Sequence, residues 1–122
     1  MSKFLVKTTK TGVKFDLIAS NGQVIGTSEV YSSKSSCHNG IESVKTNSQI
    51  AKTEDQTEDG FSKVTNPKFE IYKDKAKEYR FRLTAKNGES ILASEGYKTK
   101  ANCINGIDSV KKNALDAKVE EE

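Results

Sequence analysis

The chain has 122 residues, of which 34% are hydrophobic and 30% charged, with a formal net charge of +3. That is room for one domain, or two very small ones, around a single modest core. Both charge signs are interleaved along the chain, which reads as a solvated surface rather than a phosphate-binding face, and two cysteines with one histidine are too few for a zinc site.

The first residues, MSKFLVKTTKTG, contain no apolar run of signal-peptide length, and no run of about 20 apolar residues that could span a bilayer occurs. A cytoplasmic protein with Cys37 and Cys103 as reduced thiols is expected. Residues 3–7 (KFLVK) predict a short strand. Residues 13–20 then alternate, with Val13, Phe15, Leu17 and Ala19 on one side. Asn21-Gly22 predicts a type I′ hairpin turn, because both residues tolerate positive φ, and a return strand over 24–30 follows, anchored by Ile25. The period next changes from two to 3.6. Ser33 is a natural N-cap, and Cys37, Ile41 and Val44 form a helical stripe. Gly40 inside this helix costs about 1 kcal/mol against Ala, which predicts the close approach of another backbone. Asn39 beside it is expected to bond a nearby strand end or loop. Residues 49–54 are expected as a short fourth strand.

Residues 55–66, DQTEDGFSKVTN, form an acidic linker whose Phe61 and Val64 predict packing of its second half. Beyond it the same order returns. At an offset of 66, EGYKTKANCINGIDSVKKN (95–113) repeats EVYSSKSSCHNGIESVKTN (29–47) in Glu, Tyr, Lys, Cys, Asn-Gly-Ile, Ser-Val-Lys and Asn. Residues 68–72 (KFEIY) copy the first strand. Tyr79, Phe81, Leu83 and Ala85 predict a second core-facing set, with Arg80, Arg82, Thr84 and Lys86 facing away. Asn87-Gly88, a return strand over 90–96, the N-cap Thr99 and the stripe Ala101, Cys103, Ile104, Ile107, Val110 and Ala114 complete the copy, with Gly106 and Asn105 matching Gly40 and Asn39. Residues 115–119 are expected as a last strand, with Leu115, Ala117 and Val119 in register, and 120–122 as a disordered tail. The organisation is therefore 1–54 for the first repeat, 55–66 for the linker and 67–119 for the second repeat. A unit of this size alone would bury little and leave sheet edges open, so the two are expected to pair around an approximate two-fold axis as one compact α+β domain.

The stretches FDLIASNGQVIGTSEVYSSKSSCHNGIESVKTN and FRLTAKNGESILASEGYKTKANCINGIDSVKKNA carry a resemblance. In both, a strand, Asn-Gly, a strand, Glu-x-Tyr and a helix with Asn-Gly-Ile and Ser-Val-Lys follow in that order. The chain resembles the YegP-like family, short and mostly bacterial domains of unknown function that often occur as tandem pairs. The resemblance implies two β-β-β-α(-β) repeats building one antiparallel sheet, with helices on one face and the C-terminal strands exchanged. It brings no established activity, so no catalytic residue is carried over. His38 against Ile104 and Ser48 against Ala114 are departures of the first helix from the second.

No Ser-His-Asp set, paired-carboxylate motif or Gly-rich phosphate loop is present, so neither enzymatic chemistry nor a metal or cofactor is expected. Cys37 and Cys103 read as core residues, ahead of a disulfide or a redox-active thiol. Cys37 and His38, neighbours on a helix, point about 100° apart and do not form a dyad. The helix entrances carry the sharper chemistry. Tyr31, Ser33 and Lys34, and again Tyr97, Thr99 and Lys100, place a phenol, a hydroxyl and an ammonium where free backbone amides make an anion site. Lysine there opposes the macrodipole unless an anion, or the preceding Glu29 or Glu95, is close. The alternative at each entrance is a capped helix with a solvated lysine. Arg80, Arg82 and Lys86 on one strand, with Tyr72 the best outward aromatic, suggest a weaker nucleic-acid face. The expected function is a non-enzymatic binding or protein-interaction module that takes an unknown protein or anionic ligand. The alternative is a nucleic-acid-binding accessory protein. No membrane partner is expected, and the chain is expected as a monomer with an internal pseudo-dimer.

Overall fold

The chain folds, in a computed structural model that describes residues 2–122, as β1 (Lys3–Thr8), β2 (Val13–Ile18), β3 (Val24–Thr27), α1 (Lys34–Ser48), β4 (Lys52–Asp55), β5 (Lys68–Lys73), β6 (Tyr79–Thr84), β7 (Ser90–Ala93), α2 (Lys100–Asn113) and β8 (Lys118–Glu121). All the strands join one sheet in the order β4-β5-β6-β7-β3-β2-β1-β8. Read from either edge, that order gives the same succession of equivalent strands. The C-terminal strands are exchanged: β4 of the first repeat lies on β5 of the second, and β8 lies on β1.

The inner six strands are antiparallel, as expected. The two edge pairings are parallel, so the sheet is mixed. Tight turns enforce antiparallel pairing, and strands that arrive from a helix are not held to it. The expected tail at 120–122 is a correction. Glu120 and Glu121 pair with Leu5 and Val6, and the Glu122 N–H donates to the Val6 carbonyl at 2.9 Å. The edge of β1 supplies partners that a free tail would lack. Both fourth strands also begin later than residues 49 and 115, and Leu115 and Val119 are exposed while Ala117 is buried.

Phe4, Phe15, Leu17, Ile41 and Val44 from the first repeat join Phe69, Phe81, Leu83, Ile107 and Val110 from the second in one buried cluster. Each helix packs on its own repeat and also reaches across the seam, α1 to β6 and β7, and α2 to β3. Cys37 and Cys103 are fully buried free thiols within the cluster. The helical stripe is narrower than its period suggests, for Ala101 and Ile104 are exposed and His38 is half-buried.

Phe4 meets Phe15 edge-on and Phe15 stacks on Tyr31, an arrangement repeated by Phe69, Phe81 and Tyr97. These rings explain the helix glycines. A Cβ on Gly40 would lie 2.3 Å from Tyr31 Oη, and one on Gly106 would lie 2.5 Å from Tyr97 Oη. The close approach is therefore by a tyrosine ring, not by the backbone that the sequence suggested.

The hairpins form as expected, with a different turn. Gly22 and Gly88 have φ of 87° and 86°, while Asn21 and Asn87 do not have positive φ. The Gly22 N–H donates to the Ala19 carbonyl, and Asn21 Oδ1 accepts from the Gln23 N–H at 3.0 Å. This is the pattern of a type I turn closed by a left-handed glycine, with Asn as the side-chain acceptor. The return strands end early because Ser28 Oγ and Ser94 Oγ accept from the backbone N–H of Phe15 and Phe81, both at 2.9 Å, in place of a ladder carbonyl. The linker is tied by polar contacts: the Val64 N–H donates to Glu54 Oε2, and Phe61 stays 37% exposed. Among the described residues no helix is long and apolar enough to cross a membrane.

Candidate functional site

The helix entrances are capped as the sequence suggests. Ser33 Oγ accepts from the Ser36 N–H and Thr99 Oγ1 from the Asn102 N–H, each at 3.1 Å. The lysines beside them already hold carboxylates. Lys34 Nζ lies 2.8 Å from Glu121 Oε1, and Lys100 Nζ lies 2.8 Å from Asp55 Oδ2 and 2.7 Å from Glu58 Oε1. Asp55 and Glu121 stand at equivalent positions in the two repeats, at the ends of the exchanged strands. Each repeat thus delivers a carboxylate to the other's helix N-terminus, which resolves the opposition between lysine and macrodipole. Hydrogen bonding to these carboxylates raises both lysines above their ordinary pKa and lowers that of Glu121. Tyr31 and Tyr97 are not part of the entrances. Their hydroxyls lie further along the helices, over Gly40 and Gly106, and burial pushes both phenols up.

The sheet face away from the helices is equally self-contained. Arg80 Nε lies 2.6 Å from Asp74 Oδ2, and Arg82 pairs with Glu70 while its guanidinium sits 4.4 Å from the centre of the Tyr72 ring. Lys68 bridges Glu54 at 2.8 Å and Glu70 at 3.2 Å. Glu54 is buried, and its hydrogen bonds from Lys68, Gln56 and the Val64 N–H hold its carboxyl down at about 2. Lys86 is not with the two arginines. It stands at the tip of the β6–β7 hairpin and faces α1.

Two clefts open where a helix of one repeat meets the hairpin tip of the other. Between α2 and the β2–β3 hairpin lies a cleft of about 330 Å³, lined by Asn105, Ser109 and Tyr97 against Asn21, Gln23 and Ile25. An adjoining hollow shares Gln23, Val24 and Tyr97 and adds Glu95. Between α1 and the β6–β7 hairpin lies a cleft of about 480 Å³, where Asn39, Ser43 and Asn47 face Ala85, Lys86 and Asn87. The second helical asparagine in each row is employed: Asn47 Nδ2 donates to Ser43 Oγ at 2.9 Å, and Asn113 Nδ2 to the Ser109 carbonyl at 2.8 Å. Asn39 and Asn105 are not. Both are exposed, and among the described residues neither side chain bonds the strand end or loop that the sequence suggested. Glu29 and Glu95 are likewise exposed, without a side-chain partner among the described residues. The signal that could have singled out these four is their identity in both copies at positions that the core does not constrain.

No group of three or more His, Cys, Asp or Glu among the described residues is arranged to hold a metal ion. Burial raises both thiols, Cys103 to about 11, which leaves neither as a ready nucleophile.

The profile of the family described as "Domain of unknown function (DUF1508)" matches residues 10–55 and again 74–121. The UPF0339 protein YegP of Yersinia pestis is 37% identical over 122 residues, which cover 99% of this chain and 96% of that relative. The "UPF0339 protein in ptx operon 5'region" of Stutzerimonas stutzeri is 71% identical over 48 residues, but that match spans only 43% of its length and 39% of this chain. The solution NMR structure of yegP from E. coli, a protein of unknown function, superposes with a TM-score of 0.80 at 29% identity, covering 99% of this chain and 92% of that one.

Proposed function

We propose, from the premise that this chain belongs to the DUF1508 family with two copies of its domain, that it is a non-enzymatic cytoplasmic binding module whose recognition surface is the pair of inter-repeat clefts. One observation carries this reading: Asn39 and Asn105, exposed, identical in both copies and without a side-chain partner among the described residues, each line one of these clefts. Exposed positions away from the clefts have drifted apart, as at Ser32 and Lys98, Ser35 and Ala101, or Ile50 and Asp116. The other exposed identities have structural reasons. Lys34 and its counterpart Lys100 hold the exchanged strands, Asn21 and Asn87 close the turns, and Lys52 and Lys118 place charge on edge strands that would otherwise invite pairing. Asn39 and Asn105 remain at the clefts, with Glu95 in the hollow beside one of them, while Glu29 lines neither cleft. An approximate two-fold relation between the repeats gives one module two related sites.

The anion and nucleic-acid readings have less support. An anion at a helix entrance competes with Glu121 or with Asp55 and Glu58 for the lysine. A polynucleotide on the open sheet face competes with Asp74 and Glu70 for the arginines. A heteronuclear NMR screen of the labelled chain against a mixed small-molecule library and short oligonucleotides tests the proposal. Hits are expected to shift the amides of Asn39, Asn105 and the two hairpin tips, and to be weakened by Asn39→Ala or Asn105→Ala without loss of folding. Hits confined to β5 and β6, lost in Arg80→Gln/Arg82→Gln and steeply salt-dependent, would instead establish the nucleic-acid reading.

A further inference from the structure

We infer that these clefts take a neutral, polyhydroxylated ligand of the saccharide class, an inference that rests on their being recognition sites. The cleft between α2 and the β2–β3 hairpin is the plainer case. Four side-chain amides, of Asn21, Gln23, Asn102 and Asn105, line it together with the apolar Val24 and Ile25, the Asn21 Oδ1 already accepting from the Gln23 N–H. No charged residue lines it. A primary amide offers a carbonyl acceptor and an N–H donor side by side, so it can meet two adjacent hydroxyls at once, accepting from one and donating to the other. Hydroxyls and C–H groups side by side make a sugar ring the complement of a lining of amides and methyl groups.

The competing ligand chemistries fit less well. A phosphate or carboxylate finds no cation, since Lys100 at this helix start is held by Asp55 and Glu58. An amine or guanidinium finds its carboxylate, Glu95, only in the adjoining hollow. A flat heteroaromatic ring needs a stacking surface, and Tyr97 is the one aromatic in the lining. Its ring is already stacked on Phe81, with centroids 6.4 Å apart and planes 13° apart, and lies over Gly106. At about 330 Å³ the cleft is at the lower end of the roughly 300–1,000 Å³ of ligand pockets, suited to one or two sugar rings. The cleft beside α1 keeps Asn39 and Ser43 opposite Asn87, has no counterpart of the Gln23 and Asn102 amides, and adds Asn47, Glu42 and Lys86, so the two sites share part of a chemistry and differ in selectivity.

The test is NMR titration of the full-length labelled chain with glucose, mannose, galactose, N-acetylglucosamine, ribose and maltose, beside inorganic phosphate, arginine and adenosine. At least one sugar is expected to shift the amides of Asn21, Asn105 and Ser109 saturably at millimolar concentration. Asn105→Ala, and independently Gln23→Ala, are expected to weaken that binding about tenfold, the loss of one well-made polar contact. Asn39→Ala, at the other cleft, is expected to leave it unchanged. Cleft shifts produced by phosphate, arginine or adenosine but by no sugar overturn the saccharide assignment and leave the recognition surface standing. Sugar shifts indifferent to both Asn105→Ala and Gln23→Ala, or no cleft shift with any probe, also overturn it.

Discussion

Replacing a helix-interior glycine by alanine ordinarily stabilises a protein, and here Gly106→Ala is expected to do the opposite. Relief of the glycine penalty in a helix is worth about 1 kcal/mol. Against it, the new Cβ would sit 2.5 Å from Tyr97 Oη, 2.9 Å from Phe81 Cε2 and 3.0 Å from Tyr97 Cζ. The tyrosine cannot swing aside freely. Its ring is stacked on Phe81, and its backbone exchanges hydrogen bonds of 2.7 and 2.8 Å with Tyr79. Overpacking of this kind costs roughly 1–3 kcal/mol, and contacts of 3.0 Å or less with a ring held on both sides place it in the upper part of that range, so a net loss of up to about 2 kcal/mol is expected. Urea unfolding reads it as a lower midpoint at unchanged slope. In a Tyr97→Ala background the obstructing hydroxyl and ring are gone and Phe81 can tilt into the space. The same substitution should then stabilise by about 0.5–1 kcal/mol, a reversal of sign. A parent-background Gly106→Ala that is more stable than the glycine protein, or a loss of equal size in both backgrounds, would refute the steric account. Gly40 and Tyr31 should give the same pattern, with the closer contact of 2.3 Å.

The low carboxyl pKa of buried Glu54, about 2 against an ordinary 4.5, means that its contribution is complete above the unfolded value and is lost as pH falls from about 5 towards 2, on the order of 3 kcal/mol in all. Glu54→Gln should flatten that limb of the stability profile, and an unaltered limb would show that other acids dominate it. Lys34 and Lys3 hold β8 through Glu121 and Glu120, so Lys34→Ala should speed hydrogen exchange at the β8 amides while β2 and β6 stay protected; equal protection in β8 would remove the pair's anchoring role. Cys37 and Cys103 are fully buried, with Cys103 raised to about 11, so alkylation should be negligible in the native state and rapid in denaturant. Fast labelling of the folded protein at neutral pH would contradict this burial.

The repeat made much of the fold legible. Alternation at Val13–Phe15–Leu17 and Tyr79–Phe81–Leu83 marks the core strands, since a sheet covered on one face leaves a period of two. What stayed hidden involves partners distant in sequence. Nothing near Lys34 announces Glu121, which reaches it only because β8 crosses to the opposite repeat. Glu120 and Glu121 read as a solvated tail because four exposed residues carry no burial pattern, and their order comes from a backbone ladder to β1. Arg82 read as an outward cation because Glu70 is supplied by the neighbouring strand. The helix glycines showed that something approaches closely, but only the fold shows that it is a ring from the same repeat.

Differences between the copies are as informative as identities at the seam where β3 meets β7. Gly26 and Leu92 are equivalent positions, paired with Leu17 and Leu83 respectively on the core face. A Cβ on Gly26 would lie 2.8 Å from Leu92 Cγ and 3.1 Å from both of its Cδ atoms, so Leu92 fills the space that Gly26 leaves. Two leucines here would overfill the junction, and two glycines would leave a void in a buried cluster, both of which destabilise. A pair of identical repeats would have to use one residue type in both places. Joining the repeats in one chain removes that restriction and lets the junction be packed asymmetrically. Divergence at Gly26 and Leu92 is therefore complementary, demanded by the neighbour across the seam. Identity at Asn39 and Asn105, whose side chains have no hydrogen-bond partner among the described residues, has no such packing cause, and it is the identity that the proposed recognition surface would account for.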